Sequence, residues 1–537
     1  MEDTVEDGVG VRAARILYPL FVGQGFGVVF TAVTFIVVAR LLGPTSYGIY
    51  TLAFGFSALV NAFLAFGVGA YFGTNLARLA YKKDHNGILS TLATGYIISG
   101  TVGLILTLVG VGISGYLAGI YHNVGLTQTI LVVAAGTIIF NVLNTLAVSA
   151  MIGFSRTGLA AMVNVMVDII QLALSIVLTI KFGVIGAVSA MLVGYLVGAI
   201  VGAILVSKIL IDSFSLRMYI PSIRELRETF GVVWPLAATN FLNTGMQNFS
   251  ILFLGLYISL SALGNYGAAS KGLALLSMLY GAFGSGLLPI FSTARAMEVG
   301  DGINTTYNRI IHFALIPMLP IIIYVGVMSV PGMYLIVGAK YQSAPLFLAL
   351  IALGTMIGLF GTYISELLIS EGHTRSVMMV NFVSAVFQLI FMLALVPQFK
   401  VIGAIFTIFF LGNIIEAIFF TRDAHRIFNI KLEFRKLFRL YLANLVLGCI
   451  IFVMYTASVR LISLGTASAN YVSELLLGGL IVIVVYPALL IVFRAMNDRD
   501  IISMRHATNK LGRVSRVFDG FFGYSEYLHR TLIGAPR

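Results

Sequence analysis

Seven polar side chains, from Thr239 to Ser250, interrupt an apolar run of bilayer length at Trp234–Ile258, among them Asn240, Asn243, Thr244 and Gln247. These four recur at i, i+3, i+4 and i+7, the spacing of one helical face. Amides donate and accept hydrogen bonds without carrying charge. In hydrocarbon an unpaired amide is costly, so this face must look at protein or at water. Two roles fit: glue between helices, or the wall of a wet cavity whose occupant offers many hydroxyls. A second stripe, Asn164, Asp168, Gln171 and Ser175, runs at i, i+4, i+7 and i+11 of another apolar run. Asn381, Ser384 and Gln388 repeat it later in the chain without the carboxylate.

The ionisable residues read as lying inside apolar runs are Asp168, Lys271, Glu366 and Glu416. A central Asp or Lys costs roughly 2.5–3.5 kcal/mol on insertion scales, so each needs a partner or a cavity. Asp168 and Glu416 suit either a structural hydrogen bond or a coupling ion, and Glu366 lies near an inner end, close to water. Lys271 follows Gly264 by seven residues, about 10 Å along a helix at ~1.5 Å rise. It suits an ion pair with Asp168 or Glu416, or the phosphate of an anionic substrate. Arg40 ends an outer helix turn, where it either snorkels or meets the same anion.

These residues sit on an unusual chain. It has 537 residues, 59% hydrophobic and 10% charged, with mean hydropathy +1.00. About fourteen apolar runs near 20 residues long fall between positions 16 and 493, which defines an all-α polytopic membrane protein. The first run is too long for a signal core and lacks a small-x-small cleavage site, so it is expected to be retained. A single Cys449 excludes a disulfide framework, and seven scattered histidines give no metal spacing. No P-loop pattern occurs.

Net charge is +12, but its placement speaks for a membrane rather than nucleic acid. Of 33 Lys and Arg, 27 fall in segments on one side of the membrane. Arg40, Lys181, Lys340, Lys400 and Arg460 fall on the other, and Lys271 lies within a run. The asymmetry puts both termini in the cytoplasm. The outer segments are short, which argues against an enzyme with an outer catalytic domain.

The chain repeats itself. Gly153-Phe-Ser-Arg156 returns as Gly372-His-Thr-Arg375, Gln171 as Gln388, and Phe182-Gly-Val-Ile-Gly-Ala187 as Phe399-Lys-Val-Ile-Gly-Ala404. An offset of 217–219 residues covers six runs, an even number, so the halves share one orientation about an axis along the membrane normal. The expected organisation is a six-helix lobe (1–212), a cytoplasmic linker with an amphipathic helix (213–229), a second six-helix lobe (230–430), two further helices (431–494) and a basic tail (495–537). Gly194-x3-Gly198-x3-Gly202 and Gly354-x3-Gly358 read as packing faces within the fold.

The stretch Ala39-Arg-Leu-Leu-Gly-Pro-Thr-Ser-Tyr-Gly-Ile-Tyr50 resembles the polysaccharide transporter family, the Wzx-like oligosaccharide flippases of the multidrug/oligosaccharidyl-lipid/polysaccharide exporter superfamily. Gly338-Ala-Lys-Tyr341, Gly372-His-Thr-Arg375 and Pro289 add to the resemblance, which covers the whole chain in order. It implies two helical bundles that move a lipid-linked oligosaccharide outward by alternating access in a prokaryotic plasma membrane. Implied partners are that lipid, membrane lipids, and a glycan polymerase or glycosyltransferases. No cofactor is expected beyond a coupling Na+ or H+. The alternative is a cation- or proton-coupled exporter of small molecules.

The charge asymmetry sets a direct test. In a Cys449→Ala background, single cysteines placed in 114–121 or 463–469 should react with an impermeant thiol reagent added outside. Cysteines replacing Lys82 or Arg435 should not. External labelling at either cytoplasmic position contradicts the orientation.

Overall fold

The computed structural model describes residues 3–121, 128–214, 219–241, 245–277, 302–429, 431–461, 466–496 and 524, with no β-strand among them. The helices run in order α1 (Asp3–Lys82), α2 (His85–Ile120), α3 (Gln128–Gly153), α4 (Thr157–Phe214), α5 (Ile223–Asn240), α6 (Met246–Gly255) and α7 (260–277). Then come α8 (Gly302–Val327), α9 (Ser329–Ile336), α10 (Ala344–Ser370), α11 (Thr374–Ile405), α12 (Asn413–Phe428), α13 (Phe434–Leu461) and α14 (Ala467–Val492). A π-helix, Phe406–Gly412, joins α11 to α12.

Among the described residues nine helical stretches are long and apolar enough to cross a bilayer. Three of them, of 38, 56 and 55 residues, are too long for one crossing of about 20 residues. Each bends at one residue: Gly43, Gly183 and Lys400. With two crossings in each, and with one assigned to α5–α6 and one to α7, the described residues accommodate the fourteen crossings expected. Leu104, Ile105, Leu108 and Val109 lie open on α2, a surface that only lipid tolerates.

The bends preserve the internal repeat in atomic detail. Gly183 has φ 59 and ψ −131, and Lys400, its counterpart 217 residues on, has φ 52 and ψ −126. Both match the second position of a type II′ turn, where glycine is preferred. Three residues later the next helix grazes the previous one. A Cβ on Gly186 would lie 2.0 Å from the Leu178 carbonyl oxygen, and one on Gly403 would lie 2.7 Å from that of Leu395.

Two compact units divide the chain: Met1–Gly267 with Leu389–Ala404, and Ala268–Gln388 with Ile405–Arg537. In the first, α1 packs along α3 and α4, and α2 along α3. Its core gathers Phe72, Leu76, Leu92, Leu146 and Met151. Here α1 also meets the start of α7 backbone to backbone: a Cβ on Gly264 would lie 1.9 Å from the Pro44 carbonyl oxygen and 3.0 Å from the Gly48 nitrogen. In the second unit α10 packs on α8 and α12, and α13 on α14. Tyrosines secure it. Tyr324 donates to the Leu475 carbonyl at 2.8 Å, Tyr486 to that of Ile316 at 2.7 Å, and Tyr441 to that of Met356 at 3.0 Å.

Two features differ from expectation. The linker's amphipathic stretch is no separate helix: α5 begins at Ile223 and continues into the span. The span itself is broken, because Phe241 and Gly245 have π-helical hydrogen bonding between α5 and α6.

The turn at residue 400 yields a stability test. A side chain in the left-handed region costs about 1–2 kcal/mol, against about 0.5–1 kcal/mol for glycine's extra freedom when unfolded. Lys400→Gly should therefore raise the unfolding temperature slightly, whereas Gly183→Ala should lower it. A drop for Lys400→Gly contradicts the turn geometry.

Candidate functional site

In the first unit the stripe on α4 becomes more buried along its length. Asn164 is exposed, Asp168 and Gln171 are half-buried, and Ser175 is buried. Two glycines on neighbouring turns make room for it. A Cβ on Gly27 of α1 would lie 3.0 Å from the Asp168 carboxylate, and one on Gly194 would lie 2.3 Å from the Gln171 Cγ. Tyr195 faces both the Gln171 amide and the Asp168 carboxylate. Next to it Tyr50 donates to the Met191 sulfur at 3.3 Å. Asp168 makes no hydrogen bond or ion pair among the described residues, and Gln171 Nε2 is buried without a partner. Asn61 Oδ1 and Asn144 Oδ1, also buried in this unit, lack partners too. A membrane interior with such atoms has work for water or for a polar ligand.

The second unit builds the same niche with the carboxylate moved. Gln388 of α11 packs on Gly412, whose Cβ would lie 2.5 Å from its amide nitrogen. The Gln388 amide donates to Ser384 Oγ at 2.9 Å. Ser384 Oγ donates in turn to Glu416 of α12 at 2.9 Å. The stripe expected without a carboxylate thus receives one from the following helix. The π-helix before α12 has a visible local cause. The Asn413 amide donates to the Phe409 carbonyl at 2.7 Å and to the Gly354 carbonyl of α10 at 2.9 Å. A side chain that serves two backbone oxygens loosens the regular ladder. Gly354 and Gly358 meet Phe409 and Asn413 of the same chain, so this small-residue face packs within the fold.

The remaining candidates are spread out. Gln247 is exposed on α6, although it belongs to a membrane-depth helix. Asn240 ends α5, with its side chain outside the described residues, and Asn243 and Thr244 lie outside them altogether. Phe241 and Gly245 have π-helical hydrogen bonding, and the residues between them lie outside the described ones. Lys271 is half-buried on α7, Glu366 is half-buried on α10, and Arg40 is exposed just before the Gly43 bend. Two residues escaped the sequence reasoning. Tyr195 stands 24 positions from Gln171, beyond any helical spacing. Glu474 was legible as a carboxylate inside the last apolar run. Among the described residues no three His, Cys, Asp or Glu side chains come together in a way that could hold a metal ion.

Between α2 and the last turns of α4 in the first unit lies a cavity of about 320 Å3, lined chiefly by Leu89, Leu92, Tyr96, Val206, Leu210 and Tyr219. Beside it a carboxylate clasp ties the segment before α5 to α2. Glu225 accepts from Ser90 Oγ at 2.5 Å, Tyr219 Oη at 2.6 Å, Ser222 N at 2.7 Å and Ser222 Oγ at 2.9 Å.

The arrangement defines a class: a multi-pass helical membrane protein built from a six-helix repeat whose halves each enclose a carboxylate–glutamine niche. Solved structures share the fold. A lipid II flippase MurJ in an inward closed conformation has TM-score 0.70 and 15% identity, covering 90% of this chain and 99% of its own. An inward-facing multidrug resistance MATE family transporter of the MOP superfamily has TM-score 0.66 and 16% identity over 78% and 98%. A MOP superfamily transporter from Pyrococcus furiosus has TM-score 0.54 and 15% identity over 78% and 96%. No curated protein sequence matches the chain. The family model for polysaccharide biosynthesis proteins matches residues 37–346, and the chain belongs to that family.

The clasp carries a pH prediction. Hydrogen bonds, first from Ser90 and then from Tyr219 and Ser222, push the Glu225 carboxyl down to about 2, from an ordinary value of about 4.3. A depressed folded value means that the clasp stabilises fully above the unfolded value and is lost as pH falls towards 2. The protection factor of the amides at 219–226, their exchange relative to the unfolded rate at the same pH, should therefore be high at pH 6 and fall as pH drops below about 4, and Glu225→Gln should lower it at pH 6. Identical protection in the variant contradicts the clasp.

Proposed function

We propose that the protein is a flippase that carries a polyprenyl phosphate- or pyrophosphate-linked oligosaccharide from the cytoplasmic to the outer leaflet by alternating access. The observation that carries this reading is Gln247. It is an uncharged amide exposed on α6, within an apolar run of bilayer length where contact with lipid is unfavourable, so it supports a wet, hydrogen-bonding wall. Family membership in polysaccharide biosynthesis and a fold shared with a lipid II flippase point the same way.

In this mechanism Asn240, Asn243, Thr244 and Gln247 exchange hydrogen bonds with sugar hydroxyls. Neutral amides do so without the desolvation cost of a fixed charge. Lys271 and Arg40 hold the phosphate, whose attraction strengthens where the dielectric is low. The prenyl tail stays in lipid throughout. Glu366 remains a water-facing carboxylate. Asp168, with Gln171 beside it, and Glu416 are the groups through which a Na+ or H+ gradient would act. The setting is a prokaryotic cytoplasmic membrane with both termini inside, in company with the glycosyltransferases or polymerase that make and use the glycan. Asp168, which has no hydrogen bond or ion pair among the described residues, also favours a second reading, a cation-coupled exporter of small molecules, in which Asp168→Asn abolishes gradient-driven export.

Lys271 separates phosphate binding from a structural ion pair. In reconstituted vesicles Lys271→Ala should lose at least about tenfold in flipping, about 1.4 kcal/mol, with an unchanged unfolding temperature. Lys271→Arg should keep part of the activity. Loss of folding in the alanine variant, restored together with transport by neutralising a carboxylate, assigns Lys271 to an ion pair and removes it from the phosphate site.

A further inference from the structure

Outside the six-helix repeat, the last two helices enclose a carboxylate for which the proposed mechanism has no use. Glu474 lies on α14, eight residues after the Thr466 cap, about 12 Å along the helix. It is 5% exposed, and its Oε2 is buried with no hydrogen-bond partner among the described residues. Three phenols lie in its neighbourhood: Tyr471, three residues before it on α14, Tyr334 of α9, whose ring meets Tyr471, and Tyr455 of α13. The Tyr334 and Tyr471 rings meet edge to face at 5.9 Å between centroids. Tyr455 is in electrostatic contact with Glu474, Tyr334 and Tyr471. The next residue of α14 is pinned, since Tyr324 donates to the Leu475 carbonyl. One turn deeper the packing closes: a Cβ on Gly478 would lie 2.8 Å from Met328 Cε and 3.1 Å from the Tyr324 ring.

We propose that Glu474, Tyr334, Tyr455 and Tyr471 form a binding site for an alkali-metal cation, reached from the end of α14 that carries Thr466. Charge balance selects the valence. Among the described residues no Lys, Arg or His side chain lies against Glu474, and the phenols are neutral, so the one negative charge they leave is matched by one positive ion. A buried carboxylate left uncompensated is costly, and a monovalent cation removes that cost, whereas a divalent ion would leave a buried positive charge. The donor set selects the element class. Carboxylate and phenol oxygens are hard ligands, and the ring faces add a favourable quadrupole. Sulfur and imidazole, which favour transition metals, take no part. The tight packing at Gly478 leaves the Thr466 end as the open direction. This site stands apart from Asp168 and Glu416 and does not depend on the flippase reading.

The test is thermal unfolding of the full chain in detergent, titrated with NaCl at constant ionic strength against choline chloride. Sodium should raise the unfolding temperature saturably. Glu474→Gln, isosteric and uncharged, should fold and lose the sodium dependence. Tyr455→Phe should weaken it several-fold, and Glu474→Asp should retain it with a weaker midpoint even where the glutamine variant folds poorly. The titration is repeated in an Asp168→Asn, Glu416→Gln background, where neither coupling carboxylate can contribute, and the sodium response should persist there until Glu474→Gln is added. The proposal is overturned by a wild type indifferent to sodium at every pH, by a sodium response that is absent from the Asp168→Asn, Glu416→Gln background, or by one that persists when Glu474→Gln is added to that background. An unfolding temperature that follows pH but not sodium also overturns it, and leaves a protonated carboxyl only.

Discussion

Hydrocarbon offers no hydrogen bonds, and the rest of this structure follows from that constraint. A polar side chain within a span must find protein, water or a ligand. Here it finds space first, because a neighbouring helix carries glycine. Gln171 lies on Gly194, Asp168 on Gly27, Gln388 on Gly412 and Asn413 on Gly358. Each glycine admits an amide or carboxylate that any Cβ would displace. The absence of a side chain on one helix thus decides where chemistry can occur on another.

The two halves solve this problem alike and then diverge. Both keep a glutamine in a glycine niche, and both turn between crossings through a residue with φ above +50°. In the first half the carboxylate is on the same helix as the glutamine, without a hydrogen bond of its own. In the second it comes from the next helix and accepts from Ser384. A satisfied carboxylate is a structural element as much as a site, whereas an unsatisfied one is poised to take up a proton or an ion. The asymmetry gives Asp168 the stronger claim to coupling and Glu416 the stronger claim to holding α11 and α12 together. Unequal halves suit alternating access, which needs a ligand to distinguish one state from another.

Much of this was legible in the residues. Apolar runs gave the crossings, and Gly43-Pro44 and Phe182-Gly183 marked their bends. The bend at Lys400 was readable only through its likeness to Gly183, since lysine carries no turn signal. The equivalence of Gln171 and Gln388 emerged from the repeat and reappears as identical glycine contacts. What stayed hidden depends on tertiary contact. The π-helical bonding at Phe241 and Gly245 carries no local signal in the sequence. The π-helix before α12 accompanies bonds from Asn413 to Phe409 and to another helix, which no local pattern encodes. Glu416 joins Ser384 across 32 residues, and Tyr195 joins Gln171 across 24. Glu474 was in plain view, but a lone carboxylate gains meaning only when three tyrosines from elsewhere surround it.

The central claim is that the substrate is an oligosaccharide on a polyprenyl lipid. The most direct measurement places the full chain in proteoliposomes with a polyprenyl pyrophosphate-linked oligosaccharide in both leaflets. A membrane-impermeant glycosidase is then added outside. The account predicts that protein-containing vesicles expose the inner-leaflet pool to cleavage, while protein-free vesicles protect it, and that the protein does not concentrate small organic cations under an ion gradient. Protection of the inner pool in both preparations, together with gradient-driven accumulation of an organic cation, would contradict it.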